Sequence, residues 1–373
     1  MDKNNILVFT CFSERSIHME STVLYFKNKG YNVFFLTTCA PGPIHKELTA
    51  NGVIAEGMDI SRSPGIGYYV KLIKALIKYS KKNRIGFIHS HLQIPNFISS
   101  ISGYFIRTVV FNTRHNSDVI ELSGSFKEKF IEKIINRLSR HIIAISDKVK
   151  TQLIEKENVD PRKIHRINNG YNFSEYEKLS HGIEKYLDIR KNYPAQFLIV
   201  SPGRLIKTKR HELTILGVKE LHQKGYDVKL LILGDGPERN MLSEFITDNT
   251  MQNSVYLLGY IENISDYLKA SDVVVLLSES EASSNIVKEA GYFEKPVIVC
   301  ENVGDFSDYI QPDFNGYLVA KLNPLPQFVK SVEYLYSHNE FASFLGSNLK
   351  ATVITEFDIN SVGAKYEELQ NSL

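Results

Sequence analysis

Runs of three to five mostly apolar residues alternate along the chain with longer stretches whose apolar positions recur every three or four residues. In the first half the runs fall at 6–10, 33–37, 87–89, 109–112 and 142–145, with helix-patterned stretches such as 21–29 and 69–82 between them. In the second half they fall at 197–201, 229–233, 254–258, 273–277 and 296–300, separated by helical patterns around 212–224, 238–247 and 264–270. Strands alternating with helices predict an α/β chain of two doubly wound parallel sheets. The division is placed at 1–185 and 186–373, with the polar segment 180–194 as the linker. Ligands of such sheets sit at the carboxyl ends of strands, so the main site is expected in a cleft between the domains.

Composition fits this reading: 373 residues, 43% of them apolar and 23% charged, make about two domains. No run of about 18 apolar residues occurs, so no membrane span is expected. Met1-Asp2-Lys3-Asn4-Asn5 leads straight into a strand-like run, unlike a signal peptide, and a cytoplasmic protein is expected. Cys11, Cys39 and Cys300 are scattered beside apolar runs and read as buried thiols, not as a metal site or disulfides.

Charge divides the halves. Residues 1–180 hold 26 Lys and Arg against 16 Asp and Glu, a net of +10, which leaves −8 for the remainder of a chain whose total is +2. A basic half suits nucleic acid, anionic lipid or a polyanionic substrate. Zinc-finger spacing, an RNA-recognition signature and a basic tail are all missing from the sequence, which argues against nucleic acid. In the stretch 68–82, Tyr69, Leu72, Ile73, Leu76 and Ile77 share one helical stripe, with Lys71, Lys74, Lys78, Lys81 and Lys82 around it. Such a helix packs its stripe on the first sheet, or docks on anionic lipid. The mixed apolar and basic stretch 126–140 adds a second candidate for a membrane surface.

The loops at the strand ends carry chemistry for a diphosphate. After the run at 197–201 comes Pro202-Gly203-Arg204-Leu205-Ile206-Lys207-Thr208-Lys209-Arg210, a turn glycine followed by four cations suited to phosphate oxygens. After 229–233 comes Gly234-Asp235-Gly236-Pro237-Glu238, a tight turn before a helix begun by proline. The run at 273–277 hands over to a helix from about Ser284, whose free N–H groups and dipole favour an anion. Glu281 then lies in the loop and Glu289 more than a turn inside the helix. One carboxylate could hold a ribose while the other meets what lies beyond the phosphates.

Taken in order, Gly203-Arg204 with Lys209, Gly234-Asp235-Gly236, Leu258-Gly259-Tyr260, Ala270-Ser271-Asp272, the pair Glu281 and Glu289, Lys295-Pro296-Val297-Ile298 and Gly304-Asp305 resemble the donor-binding domain of the large retaining GT-B glycosyltransferase family. Looser matches to its acceptor domain are Ser16-Ile17-His18, Ile88-His89-Ser90-His91, Thr113-Arg114-His115-Asn116, Ile143-Ala144-Ile145-Ser146 and Asn168-Asn169-Gly170. The resemblance implies two Rossmann-like domains facing a central cleft, with about the last 20 residues packing back on the first. It implies that Arg204 and Lys209 neutralise the diphosphate of a nucleotide-sugar, that Glu289 holds the ribose, and that Glu281 contacts the donor sugar. Gly203 and Gly234 line the phosphates, Ser284, Asn285 and Ile286 cap the distal phosphate, and Tyr260 and Ile261 border the base. His115 faces the sugar from the other domain. No cofactor and no metal are implied, and transfer retains the anomeric configuration.

The sequence also departs from the family. Ser13-Glu14 replace the frequent Gly-Gly of the first loop, which turns Glu14 toward the acceptor side with His18 and His91, and Ala282 replaces a frequent glycine. His89 and His91, at a strand end, read equally as packed residues or as acceptor-site groups. The expected activity is transfer of a sugar from a nucleoside diphosphate donor, UDP above all, to a lipid-linked or surface glycan at the inner face of the cytoplasmic membrane. A sugar-nucleotide epimerase and an inactive scaffold subunit of the same fold are the alternatives.

Overall fold

The computed structural model describes residues 1–58, 60, 65–115, 125–180 and 182–373, with the side chain of residue 179 excepted. Asn116, the last residue of one acceptor-side motif, lies outside them. The chain divides into two units, Met1–Asn172 with Phe357–Leu373, and Phe173–Glu356.

The first unit is built on a parallel sheet of seven strands: β1 (Asp2–Thr10), β2 (Asn32–Thr37), β3 (Ile54–Gly57), β4 (Ile85–His91), β5 (Val109–Arg114), β6 (His141–Ala144) and β7 (Ile164–Arg166). Their order is β3-β2-β1-β4-β5-β6-β7. Ile6, Val8 and Phe35 face one buried cluster and Leu7, Phe9 and Leu36 the other, because successive side chains in a strand point to opposite faces. Each of these large side chains contributes about 1.5–3 kcal/mol by leaving water. Four helices of this unit bear on function: α1 (Ile17–Asn28), α2 (Ile66–Lys82), α3 (Gln93–Ile106) and α4 (Phe126–Leu138).

The second unit holds a parallel sheet of six strands: β8 (Phe197–Pro202), β9 (Val228–Leu233), β10 (Val255–Gly259), β11 (Val273–Leu276), β12 (Val297–Cys300) and β13 (Tyr317–Val319), in the order β10-β9-β8-β11-β12-β13. In each sheet the order reverses beside the first strand, between β1 and β4 and between β8 and β11. Those two points, at the carboxyl ends, are where open α/β sheets take their ligands.

The short edge strands β3, β7 and β13 were not expected from pattern, since three or four residues carry too little periodicity. The segment 180–194 is no open linker: it forms helix α5 (Ile183–Asn192), held by buried Ile189 and by Arg190 Nη2, 2.5 Å from Asp272 Oδ1. The division therefore falls after Asn172 instead of after residue 185. The final helix, Ile359–Asn371, belongs to the first unit. Tyr171 N–H donates to Phe357 O and Ile359 N–H to Tyr171 O, Tyr25 Oη donates to Glu367 at 2.7 Å, and Gly363 packs so tightly on Tyr25 that a Cβ would lie 2.3 Å from the ring. Among the described residues no helix is long and apolar enough to cross a membrane.

Candidate active site

The loops after β8, β9 and β10 are stitched together by backbone. Gly203 N–H donates to Leu233 O (2.8 Å), Leu205 N–H to Asp235 O (3.0 Å) and Gly234 N–H to Gly259 O (2.8 Å). Gly234 has φ +145°, and a Cβ there would lie 2.1 Å from Gly203 O, so only glycine fits. Tyr260 and Ile261 follow β10 directly, Tyr260 exposed and Ile261 half-buried.

Two of the cations expected at the phosphates differ in state. Arg204 is exposed and makes no ion pair among the described residues. Lys209 Nζ lies 2.5 Å from Glu281 Oε1, and Ser278 Oγ donates to the same oxygen at 2.7 Å. The group expected at the phosphates and the group expected at the sugar are thus ion-paired across the switch point of the second sheet.

Arg210, beside Lys209, has a different task. It sits at φ +51° and its guanidinium donates to Leu277 O (2.7 Å), Lys321 O (2.8 Å) and Cys300 Sγ (3.2 Å). It is half-buried and pins the ends of β11 and β12 under the site. Burial pushes the Cys300 thiol up to about 11, so the thiol stays protonated.

The loop holding Glu281 leads into helix α6 (Asn285–Tyr292), whose N-cap Ser284 makes no side-chain capping bond. Asn285 and Ile286 form its first turn, and Glu289 is buried farther along. Burial raises the Glu289 carboxyl to about 7, against a hydrogen bond from Tyr176 that favours the charged form. Under the loop lies a group that sequence reasoning missed. Lys288 and Asp305, both fully buried, form an ion pair, and Ser283 Oγ donates to Asp305 at 2.7 Å while receiving Lys288 Nζ at 3.0 Å. Gly304 (φ +54°) lets the chain pass close beneath Glu281, where a Cβ would lie 2.9 Å from that of Glu281. A lysine directly before Glu289 was the available signal, but the pattern gave it no partner.

At the switch point of the first sheet, three histidines meet. His91 Nδ1 lies 3.0 Å from His115 Nε2, and the His18 ring centroid lies 6.0 Å from that of His115. Burial lowers His18 to about 4 and His115 to about 3, and drives His91 well below the ordinary imidazole value, so all three are neutral near pH 7. Behind them Arg114 is buried between Glu132 (2.6 Å) and Glu157 (2.8 Å), which fixes the end of β5. His89 turns out to be a core residue: it packs against Phe26, Phe111 and Tyr366 and meets Gln370 Nε2 at 2.8 Å. Glu14 lies exposed in the loop after β1, beside Arg15, which is paired with Glu20 and Glu47.

Residues 16–175 match the family described as Glycosyltransferase Family 4, and residues 182–351 the family described as Glycosyl transferases group 1. The chain belongs to the GT-B glycosyltransferases. This glycosyltransferase is 23% identical over 370 residues to the poly(ribitol-phosphate) alpha-N-acetylglucosaminyltransferase of Staphylococcus aureus, covering 97% of this chain and 71% of that one. It is 25% identical over 303 residues, 78% of this chain and 76% of the other, to the UDP-Gal:alpha-D-GlcNAc-diphosphoundecaprenol alpha-1,3-galactosyltransferase of Escherichia coli. Among solved structures, HepE of Anabaena in complex with UDP shares the fold with a TM-score of 0.84 at 17% identity, over 99% of this chain and all of that one.

Proposed function

We propose that the enzyme transfers a sugar from a UDP-sugar, with retention of anomeric configuration, to a lipid-linked or surface polysaccharide acceptor. The observation that carries this reading is the Lys209–Glu281 pair at the carboxyl ends of adjacent strands, next to the tight Gly234 turn and the uncapped start of α6. A uridine donor and an undecaprenol-linked acceptor are named for the Escherichia coli relative, and a ribitol-phosphate polymer for the Staphylococcus aureus one.

In this reading Arg204 and Lys209 offset the diphosphate charge, most strongly as it grows in the transition state. Gly203 and Gly234 let backbone approach the phosphates, the first turn at Ser284, Asn285 and Ile286 faces the distal phosphate, and Glu289 accepts the ribose hydroxyls. Tyr260 and Ile261 border the base. Glu281 orients a sugar hydroxyl and keeps Lys209 in place. The bond from the anomeric carbon to the diphosphate oxygen breaks, the bond to the acceptor oxygen forms on the same face, and the acceptor proton passes to the departing diphosphate. Arg204 and Lys209 supply the countercharge, so metal-independent turnover is expected. The neutral histidines His18, His91 and His115 act as hydrogen-bonding groups for the sugar and acceptor, with Glu14 on the acceptor side. The net positive charge of the first half supports a working position at the inner, anionic face of the cytoplasmic membrane.

Release of UDP from UDP-sugars, with and without an undecaprenol-linked glycan, tests the reading. Acceptor-dependent UDP release with an α-linked product is expected. Interconversion of the donor without an acceptor would make the protein an epimerase, and absence of any turnover with every donor would make it an inactive subunit.

A further inference from the structure

Helix α2 uses its apolar stripe in the core, with Tyr68, Leu72 and Leu76 buried, and exposes Ile66 and Val70 near its start, while the exposed aromatic surface of the first unit is elsewhere. It lies on α3 and α4. Gln93 Nε2 donates to Glu128 O at 3.3 Å near the start of both helices, and Ser100 Oγ lies 3.4 Å from Ser139 Oγ near their ends, so they run side by side in the same direction. At the starting end Phe126 is 86% exposed and Phe130 58%; at the other, Tyr104 is 74% and Phe105 65% exposed. A folded protein rarely leaves four such aromatics in water without a partner.

The charge around them is predominantly positive. Lys129, Lys133 and Arg137 project from α4, and Arg107 and Arg140 follow the two helix ends, all exposed and none in an ion pair among the described residues. Of the two acidic residues of α4, Glu132 is turned inward to Arg114 and Glu128 is half-buried in the first turn. Helix α3 carries no charged residue at all. Between the ends of the two helices opens a cavity of about 550 Å³, walled by Tyr104, Phe105, Arg107, Leu138 and Arg140. Asn112, fully buried at its base, gives its amide to Ser100 (2.9 Å) and Ser139 (2.6 Å), while its Oδ1 has no partner.

We propose that the α3–α4 face docks on an anionic phospholipid bilayer and that this cavity receives a lipid headgroup. The four aromatics enter the interfacial layer, where a ring can bury its body and leave its edge wet. Arg107 and Arg140 meet the headgroup phosphate, and Asn112 Oδ1 accepts from a headgroup hydroxyl. The inference rests on the membrane-side acceptor of the proposed function, and it puts the lipid contact on α3 and α4 instead of on the lysines of α2.

The test is cosedimentation of the full chain at low salt with vesicles of phosphatidylcholine alone and of phosphatidylcholine mixed with phosphatidylglycerol. Binding is expected only with the mixture. Arg107→Gln with Arg140→Gln should weaken it by about thirtyfold, from loss of two cations near the surface. Tyr104→Ser with Phe105→Ser should weaken it by roughly tenfold or more, from lost apolar burial. Lys71→Gln, Lys74→Gln and Lys78→Gln together should weaken it less than either pair. UDP-induced thermal stabilisation, read in the same variants, should not change, so a failed donor assignment is seen separately. The proposal is overturned if the parent ignores anionic vesicles, if the paired variants bind like the parent, or if soluble glycerol phosphate alone displaces the bound protein. It is also overturned if Tyr104→Ser with Phe105→Ser converts a dimer to monomer, or if a soluble polyanionic glycan binds the same residues with the vesicles left unbound.

Discussion

Lys209 and Glu281 are 72 residues apart in the chain, yet Nζ of one rests 2.5 Å from Oε1 of the other. The contact exists because β8 and β11 are neighbours at the point where the second sheet reverses its order. Both side chains are largely buried, so the cost of taking the two charges out of water offsets much of their attraction. The consequence of the pair is positional: a cation and a carboxylate meant for different parts of one donor are held in a single geometry before the donor arrives.

Lys209→Ala and Arg204→Ala should each lower kcat/KM for transfer by about 2–4 kcal/mol in transition-state terms, the scale for losing a preorganised charge-stabilising group. Melting temperatures should stay near that of the parent. Near-normal turnover in a folded Lys209→Ala protein would remove this residue from the mechanism.

Glu289 and Glu281 should separate in their effects. Glu289→Gln replaces an acceptor oxygen with a donor amide, and free UDP should bind about 1.5–3 kcal/mol more weakly, the range for a hydrogen bond to a charged group. Glu281→Gln should leave free UDP affinity in place and lower turnover with the sugar attached. Calorimetry on the two variants decides: equal loss of UDP affinity in both contradicts the division.

The pH dependence of stability should carry opposite signs at Glu289 and at the buried histidines of the first unit. Glu289 has its carboxyl raised to about 7 from an ordinary 4.5, so the native state holds the extra proton between these values. Its contribution is full below about 4.5 and is lost as pH rises through about 7. His18, lowered to about 4, and His89 and His115, lowered to about 3, act the other way: their contribution is full above about 6.5 and is lost as pH falls toward those values. Thermal unfolding from pH 4 to 8 should therefore show Glu289→Gln gaining on the parent at the neutral end, and His18→Gln gaining at the acid end. Parallel curves for the parent and both variants would refute the assignment.

Gly234→Ala should destabilise by more than about 1–3 kcal/mol, since φ +145° is strained for any side chain and the added Cβ would lie 2.1 Å from Gly203 O. Gly203→Ala should cost far less, its nearest contact being 3.4 Å from Lys209 Cδ. Denaturant midpoints measure both, and equal losses would show that the turn relaxes.

The alternation of strand and helix, the two parallel sheets, the placing of Gly203, Gly234 and Glu281 in loops at strand ends and of Glu289 inside the helix that follows were legible because each depends on a few consecutive residues. Period and turn chemistry are local properties, and they decide which side chains a strand must bury. Pairing is not local. Nothing in the pattern distinguishes Lys209, which meets Glu281, from Arg210, which is spent on the carbonyls of Leu277 and Lys321. His89 and His91 point to the same side of β4, but only their depth along it makes one a core residue and the other a neighbour of His115. The stripe of α2 is apolar whether it covers a sheet or a bilayer, and the packing of Leu72 and Leu76 in the core settles which. The sequence by itself determined the elements and the chemistry carried at their ends; which of those groups face each other, and at what depth from water, was decided by the order of strands in the two sheets.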